Sequence, residues 1–133
     1  MEWSMEMGKF ERKTPTAPPM IEVRARLMEE VHEGYGIKCQ GKGQIPVAAV
    51  TDTGCQTSTA GIDILKKMGI EERHLIPTCH RIIGITDTRL RILGVLMLEM
   101  DYKDRTTRQM VYVSSNSSGL YLSETACKEL GLI

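Results

Sequence analysis

The sequence lacks the features that mark nucleic-acid binding, secretion and membrane insertion. Lys plus Arg and Asp plus Glu both total 17, and no basic run is longer than two residues, whereas a nucleic-acid partner normally requires a clustered basic surface. The opening stretch MEWSMEMGKF has no apolar core of the kind that a signal peptide needs. No apolar stretch is long enough to span a bilayer. We therefore expect an intracellular, cytoplasmic protein with no nucleic-acid or membrane partner.

The sequence also lacks a C-x-x-C pair, which argues against a zinc ribbon or a dithiol redox motif. Its four cysteines are widely separated: Cys39, Cys55, Cys79 and Cys127. Reduced thiols are the expectation for an intracellular chain. His74, Cys79 and His80 match no standard zinc-ligand spacing and have no fourth ligand nearby. We expect no metal ion and no cofactor.

What is present is enough for one globular domain preceded by an arm. The chain has 133 residues, of which 41% are hydrophobic and 26% are charged, as in ordinary globular proteins. Residues 1–19 carry mixed charges and end in a stretch containing Pro15, Pro18 and Pro19, which favours an extended linker or arm. The expected domain therefore covers residues 20–133.

The first half of this domain shows two strand patterns and one helix pattern. Apolar residues alternate with charged ones from Ile21 to Leu27, and residues 45–50 (IPVAAV) form a short apolar run; both are typical of strands. Between them, EEVHEGYGIKCQGKGQ is polar and glycine-rich and predicts a loop or hairpin. STAGIDILKKMGI predicts a helix that Ser58 or Thr59 caps and Gly69 ends.

The second half predicts a mainly β arrangement that closes with a helix. RLRILGVLMLEM and MVYV are expected strands, joined by the polar connection DYKDRTTRQ. LYLSETACKELGLI predicts a short strand and then a helix capped by Ser123, with Ala126, Cys127 and Leu130 facing inward. The helix ends LKKMGI and CKELGL resemble each other; a shared C-terminal cap explains this, and so does a fold with two similar halves.

Asp52 is the candidate for chemistry, because it follows an apolar strand directly in the stretch VTDTGCQT. Gly54 allows a sharp turn and the close approach of another backbone, and Thr53 offers a hydroxyl for hydrogen bonds. A second identical carboxylate within about 3 Å would share one proton with Asp52, which would give an acid and a base at one site. A solvent-facing Asp-Thr-Gly turn is the other interpretation of these residues.

This segment, AAVTDTGCQTSTAGIDILKKMGI, resembles the active-site segment of the retropepsin-like aspartic proteases. These enzymes are the known example of a carboxylate pair that shares a proton. The likeness is greatest to retrotransposon polyprotein (Gag-Pol) protease domains and to the related ubiquitin-linked cellular members, in which Gln follows the fourth residue as Gln56 does here. RLRILGVLMLEM resembles the strand that leaves the family's flap, and MVYVSSNSSGLYLSETACKELGLI resembles the end of the domain. The resemblance covers roughly residues 20–133.

The resemblance implies a mainly β, small closed-barrel acid-protease fold with two short helices, assembled as a C2 homodimer. Asp52 would be catalytic, and Thr53 and Gly54 would set the geometry of the site. A flap between about Thr78 and Leu93 would cover an extended polypeptide substrate, with Gly84, Ile85 and Thr86 as substrate contacts. The implied activity is that of an aspartic endopeptidase, with processing of a retroelement polyprotein as the expected role.

Several residues or segments depart from the family pattern, among them the proposed flap tip, ITDTR, which lacks the paired glycines of many viral flaps. Cys55 stands where relatives carry Ala or Ser, and Thr51 stands where they carry an apolar residue. Gly131, Leu132 and Ile133 follow the last helix here, whereas viral relatives build a longer strand into the dimer sheet. Two further hypotheses therefore accompany the protease. One is a catalytically silent relative that serves as a dimerisation or peptide-binding module, and the other is an unrelated β-rich interaction domain.

Overall fold

The computed structural model describes residues 5–6, 9–10, 19–78 and 91–133. The strands are β1 (Met5–Glu6), β2 (Lys9–Phe10), β3 (Met20–Leu27), β4 (Ile45–Thr51), β5 (Thr59–Gly61), β6 (Ile92–Tyr102), β7 (Arg105–Ser114) and β8 (Leu120–Leu122). The helices are α1 (Glu29–Gly34), α2 (Ile62–Met68) and α3 (Glu124–Glu129), with a 3-10 turn at Glu72–His74. Residues 11–18 lie outside this part of the chain, so the proline-rich arm stays a prediction.

Six strands form a closed barrel in the order β3-β4-β8-β5-β7-β6, and β3 closes it by pairing with both β4 and β6. The separate pair β1 and β2 is antiparallel. Strand alternation fills the barrel interior as the sequence predicts, because Val23, Ala25 and Leu27 are buried while Glu22 and Arg24 are exposed. From the neighbouring strand β6, Leu98 and Met100 pair with Leu27 and Ala25 and extend this layer of the core.

β6 and β7 form the longest hairpin, and its length differs from the prediction. The sequence predicts a polar connection over DYKDRTTRQ, but Tyr102 already pairs with Arg105, so the turn is confined to Lys103 and Asp104. Lys103 adopts a φ of 55° at this turn. The polar residues belong to strands because one face of the hairpin is open to solvent, where Arg108 pairs with Glu99 at 2.9 Å.

The helices are placed partly as predicted. α2 ends at Gly69 in the left-handed conformation, with φ of 80°, and α3 begins at Ser123, whose hydroxyl accepts a hydrogen bond from the Ala126 N–H at 3.2 Å. The expected cap at Ser58 or Thr59 is wrong, because Thr59 starts strand β5 and Gly61 occupies the N-cap of α2. The glycine-rich region predicted as a loop contains the short helix α1.

In the part of the chain described above, no helix is both long enough and apolar enough to cross a membrane.

Candidate active site

The loop that carries Asp52 crosses the end of strand β8. β8 lies between β4 and β5, parallel to the first and antiparallel to the second. β4 therefore cannot continue into β5 without the intervening loop, residues 52–58, passing over β8. The Asp52 N–H donates to the Leu122 carbonyl at 3.0 Å, which extends the β4–β8 ladder by one step past Thr51. The topology itself thus places Asp52 at a strand end.

Two further hydrogen bonds fasten this loop to the start of α3. The Glu124 N–H donates to the Cys55 carbonyl at 2.9 Å, and the Ser123 N–H donates to the Ser58 hydroxyl at 3.0 Å. Both donors belong to the first residues of a helix, which have no acceptors within the helix itself. The loop supplies those acceptors, so folding of α3 and the position of Asp52 are coupled.

The Asp52 carboxylate accepts hydrogen bonds on both oxygens. The Gly54 N–H donates to Oδ1 at 3.2 Å, and the Cys55 thiol donates to Oδ2 at 3.3 Å. The Cys55 N–H also donates to the Asp52 carbonyl at 3.0 Å, which closes the turn around the side chain. Asp52 is half-buried and Thr53 and Gly54 are exposed, so the carboxylate is both oriented and accessible.

Thr51, the residue before Asp52, is polar for a structural reason. Its hydroxyl donates to the Pro19 carbonyl at 3.0 Å, and its N–H donates to the same oxygen at 2.9 Å. The chain just before β3 is thereby held against the end of β4. The threonine side chain therefore adds one hydrogen bond to the backbone one at this half-buried position, where an apolar residue would offer only packing.

An apolar cavity of about 250 Å³ opens beside Thr51 and Thr53, the two neighbours of Asp52. Its lining also includes Pro19, Ile21, Cys127, Leu132 and Ile133. Ile133 is 63% exposed, as is Met20 next to the cavity-lining Pro19 and Ile21. A larger polar depression of about 530 Å³ lies over β6, β7 and α3, and no residue of the Asp52 loop lines it.

Two thiols lie near Asp52, and burial raises the pKa of both. For Cys55 the hydrogen bond to Asp52 and the carboxylate charge raise the pKa further. For Cys127, in α3, the Asp52 N–H acts in the opposite direction, while the charges of Asp52 and Glu124 raise the pKa. Both side chains are therefore neutral thiols in the acidic and neutral range.

A chain of polar side chains behind the loop was not predicted from the sequence. Ser58 is buried and donates to Gln109 Oε1 at 3.5 Å, Gln109 donates to the Thr107 hydroxyl at 2.8 Å, and Thr107 donates to Glu129. These residues join the loop to β7 and α3. Local pattern does not reveal this arrangement, because Ser58 and Gln109 are 51 positions apart in the sequence.

The predicted flap falls largely outside the described residues. Gly84, Ile85 and Thr86 belong to the stretch 79–90, so their role as substrate contacts stays a prediction. The base of this segment is described: Ile76 and Val95 exchange backbone hydrogen bonds of 2.9 and 2.8 Å. Gly94 has a φ of 159°, and a Cβ there would lie 2.9 Å from the Ile76 carbonyl oxygen, so the close approach of these backbones requires glycine.

The residues considered as zinc ligands are only partly described. His74 uses Nδ1 to accept from the Glu71 N–H at 3.0 Å, and Cys79 and His80 lie outside the described residues. Among the residues that are described, no three His, Cys, Asp or Glu side chains cluster in a way that would hold a metal ion.

The barrel has the retropepsin-like fold, as comparison with solved structures shows. The retroviral protease-like domain of Ddi1 from Leishmania major matches with a TM-score of 0.51 at 18% identity, covering 82% of this chain and 75% of that one. EIAV protease in complex with the inhibitor HBY-793 matches with a TM-score of 0.56 at 14% identity, covering 91% and 95%. No protein-family model matches the chain, and no curated protein matches it by sequence.

The predicted fold class, a mainly β closed barrel with short helices, is therefore confirmed. The likeness counts against an unrelated β-rich domain. At 18% and 14% identity the likeness concerns the fold alone.

Proposed function

We propose that the chain is an aspartic endopeptidase that acts as a homodimer, with one Asp52 from each subunit. The observation that carries this proposal is the way the loop over β8 presents Asp52. Its carboxylate is oriented by hydrogen bonds on both oxygens and is still accessible at the edge of the barrel. The likeness of the fold to retroviral proteases supports the same conclusion.

The proposed chemistry uses one carboxylate as base and the other as acid. Two carboxylates in contact cannot both ionise, so they share one proton, as in other aspartic proteases. The ionised Asp52 takes a proton from a water molecule, whose oxygen adds to the carbonyl carbon of the scissile peptide, while the protonated Asp52 of the second subunit donates to the carbonyl oxygen. The C–N bond then breaks as the newly protonated carboxyl gives its proton to the amide nitrogen, and the other carboxylate takes back the proton of a hydroxyl on the same carbon. The pH profile of such a site belongs to the pair rather than to either carboxyl group.

Two features support the proposal that a second subunit binds beside Asp52: the surroundings of Gly54 and the apolar cavity. Among the described residues, a Cβ on Gly54 would meet Asp52 Oδ1 at 3.5 Å, an ordinary contact, and the φ of Gly54 is not in the left-handed region. Contacts with the described part of the chain therefore do not require glycine, whereas a second backbone approaching Gly54 would. The exposed Ile133 and the cavity beside Thr51 and Thr53 offer an apolar surface for that approach.

We propose an extended polypeptide as substrate and a retroelement polyprotein as its source. A peptide that adds to a groove as a strand is recognised by main-chain hydrogen bonds. Gly84, Ile85 and Thr86 are the proposed contacts from the flap, residues 20–133 form the catalytic domain, and residues 1–19 form the arm. The matched EIAV protease structure contains an inhibitor, which supports a ligand groove in this fold.

The decisive test compares Asp52→Asn with wild type on an unstructured polypeptide at mildly acidic pH. We expect Asp52→Asn to lose cleavage by on the order of 10³-fold or more, because no acid–base pair remains. The matched control is Asp104→Asn, at the β6–β7 turn, which makes the same chemical change in the same barrel and is expected to cleave like wild type. Equal cleavage by wild type and Asp52→Asn would overturn the proposal.

A catalytically inactive dimerisation or peptide-binding module is the second candidate. It is favoured by the match to Ddi1, whose domain is described as retroviral protease-like rather than as a protease. This candidate requires that wild type and Asp52→Asn bind the same peptide without turnover. Any cleavage that depends on Asp52 excludes it.

A further inference from the structure

Within the turn around Asp52, one side chain hydrogen-bonds to the carboxylate. It is Cys55, whose thiol donates to Asp52 Oδ2. Oδ1 accepts at 3.2 Å from the backbone N–H of Gly54, a donor that every residue except proline would supply at that position. Oδ2 accepts from the thiol at 3.3 Å. The orientation of the carboxylate therefore depends in part on which side chain occupies position 55.

The backbone of Cys55 is held by hydrogen bonds on both its N–H and its carbonyl group. The Cys55 N–H donates to the Asp52 carbonyl at 3.0 Å, and the Cys55 carbonyl accepts from the Glu124 N–H at 2.9 Å. These bonds fix the backbone of Cys55 and so the direction of its Cα–Cβ bond, from which the sulfur lies within hydrogen-bond distance of Oδ2. The fold of the loop and the docking of α3 thus place Cys55 beside the carboxylate.

The thiol is a donor throughout the acidic and neutral range. Burial, and then the hydrogen bond and charge of Asp52, raise the pKa of Cys55 above that of an ordinary thiol. A thiolate at this position would repel the carboxylate, whereas the neutral S–H donates to it. The same protonation state therefore persists wherever the proposed carboxylate pair would work.

We propose that Cys55 is a positioning residue for the catalytic Asp52, a role that rests on the proposed protease function. Its thiol fixes Oδ2, and the Gly54 N–H fixes Oδ1, so that the carboxylate keeps one orientation toward the water and toward the second Asp52. Because S–H is a weak donor, its contribution is modest and falls on the chemical step rather than on peptide binding.

The experiment measures kcat, KM and the pH profile of cleavage for wild type, Cys55→Ala and Cys55→Ser. Cys55→Ala removes the donor, and we expect kcat to fall by about three- to tenfold with KM nearly unchanged. Cys55→Ser restores a donor of similar size, so it should recover kcat to the wild-type value or above. Cys39→Ala is the matched control, because Cys39 is also a half-buried free cysteine but lies outside the Asp52 loop.

The kinetic outcomes separate a positioning role from packing. If Cys55→Ala matches wild type in kcat and in pH profile, the proposal fails. If Cys55→Ser is as impaired as Cys55→Ala, the thiol acts by packing and the proposal also fails. Circular dichroism of each variant verifies that the barrel is folded before rates are compared.

A second measurement tests the contact without any cleavage. The rate at which iodoacetamide alkylates Cys55, followed by mass spectrometry across pH, reports the thiol pKa in wild type and in Asp52→Asn. We expect the pKa to be lower in Asp52→Asn, because the carboxylate no longer accepts from the thiol or repels the thiolate. An unchanged thiol pKa overturns the contact on which the proposal depends.

Failure of the proposal and failure of the protease function give different results. If wild type cleaves and Cys55→Ala cleaves equally well, the positioning role alone is wrong. If wild type cleaves no polypeptide under any condition, the proposed function fails, and the positioning role fails with it even where the alkylation experiment shows the contact.

Discussion

His32 is buried between three segments of the chain, and both of its ring nitrogens are hydrogen-bonded to backbone groups. Nε2 accepts from the Met97 N–H at 3.1 Å, and because that N–H can only donate, the ring proton must lie on Nδ1. Nδ1 in turn donates to the His74 carbonyl at 2.8 Å. Through these hydrogen bonds the neutral ring connects α1 to β6 and to the 3-10 turn that precedes the predicted flap.

Acidification should reduce the stability that the neutral His32 ring contributes, because the pKa of His32 is lowered in the folded protein. Burial is the main cause that lowers the pKa of His32 below 6.5; the hydrogen bond to the His74 backbone opposes this by raising the pKa, and the charge interaction with His74 lowers it further. Between the lowered pKa and 6.5 the unfolded chain binds more protons than the folded one. The stabilisation is therefore fully present above pH 6.5 and is lost as pH falls from 6.5 toward the folded-state value.

His32→Gln tests this at the residue scale. The variant is expected to be less stable than wild type at pH 7.5, because the paired backbone groups lose a well-placed partner. Its free energy of unfolding should also depend less on pH. Between the lowered pKa of His32 and pH 6.5, the slopes of the two proteins should differ by up to about 1.4 kcal/mol per pH unit. Urea unfolding from pH 7.5 to pH 5 measures both quantities, and parallel pH dependence in the two proteins would contradict the prediction.

At the scale of elements, Ser58 connects the Asp52 loop to both β7 and α3 by hydrogen bonds. The Ser58 hydroxyl accepts from the Ser123 N–H at 3.0 Å, and the residue's carbonyl accepts from the Tyr112 N–H at 2.9 Å. Ser58 is 1% exposed, so water cannot replace a lost partner easily. The start of α3 and the end of the Asp52 loop are therefore stabilised by the same side chain.

Ser58→Ala is expected to destabilise the protein by about 1–3 kcal/mol, because the buried Ser123 N–H loses its acceptor. The matched control is Ser118→Ala, the same change at an exposed position in the loop before β8, which should alter stability by less than about 0.5 kcal/mol. Denaturant unfolding of the two variants checks the difference. Equal stability would show that the loop and α3 are not coupled through Ser58.

The elements that the sequence predicts well are those whose signal is local. Strand β3 alternates between apolar and charged residues, and α3 combines a capping Ser123 with an apolar face that ends at Leu130, so pattern alone finds them. Strand β5 has only the residues Thr59–Gly61, and it exists because β7 and β8 pair with it from distant parts of the sequence. Its sequence contains no comparable signal, and the pattern predicts that these residues belong to the helix that follows.

The same distinction applies to the candidate site. Asp52 and the turn made by Thr53 and Gly54 are visible in the sequence because strand, carboxylate and glycine are consecutive. The hydrogen bond from Cys55 is local as well, but only the folded turn shows its direction. The links from Ser58 through Gln109 to Glu129 depend on the barrel topology, so no reading of one segment predicts them.

At the scale of the whole molecule, the apolar cavity beside Asp52 identifies the surface on which a second copy is expected. Ile133 lines this cavity and is 63% exposed, so a charge there should disturb the isolated barrel little. We expect Ile133→Glu to shift the monomer–dimer equilibrium toward monomer by tenfold or more, at a cost of about 1.4 kcal/mol or above for burying an unpaired charge. Activity should fall in proportion to the lost dimer.

Sedimentation across a concentration range, read beside peptide cleavage, measures both effects. Met110→Glu is the matched control, because Met110 is also an exposed apolar residue, at 52%, but lies on β7 and does not line the cavity. It should sediment and cleave like wild type. An Ile133→Glu variant that keeps the wild-type dimer fraction would place the interface elsewhere.

Mixing wild type with Asp52→Asn tests whether one active site needs two subunits. We expect Asp52→Asn to fold like wild type and to exchange freely with it, so that in an equal mixture about one quarter of dimers would carry two carboxylates. Because a dimer with a single Asp52 lacks the acid–base pair, activity should fall to about one quarter of that of wild type at the same total concentration. A monomeric enzyme would retain about one half, since each wild-type chain would act independently. The mixing curve therefore distinguishes a shared site from two separate ones without any structure of the dimer.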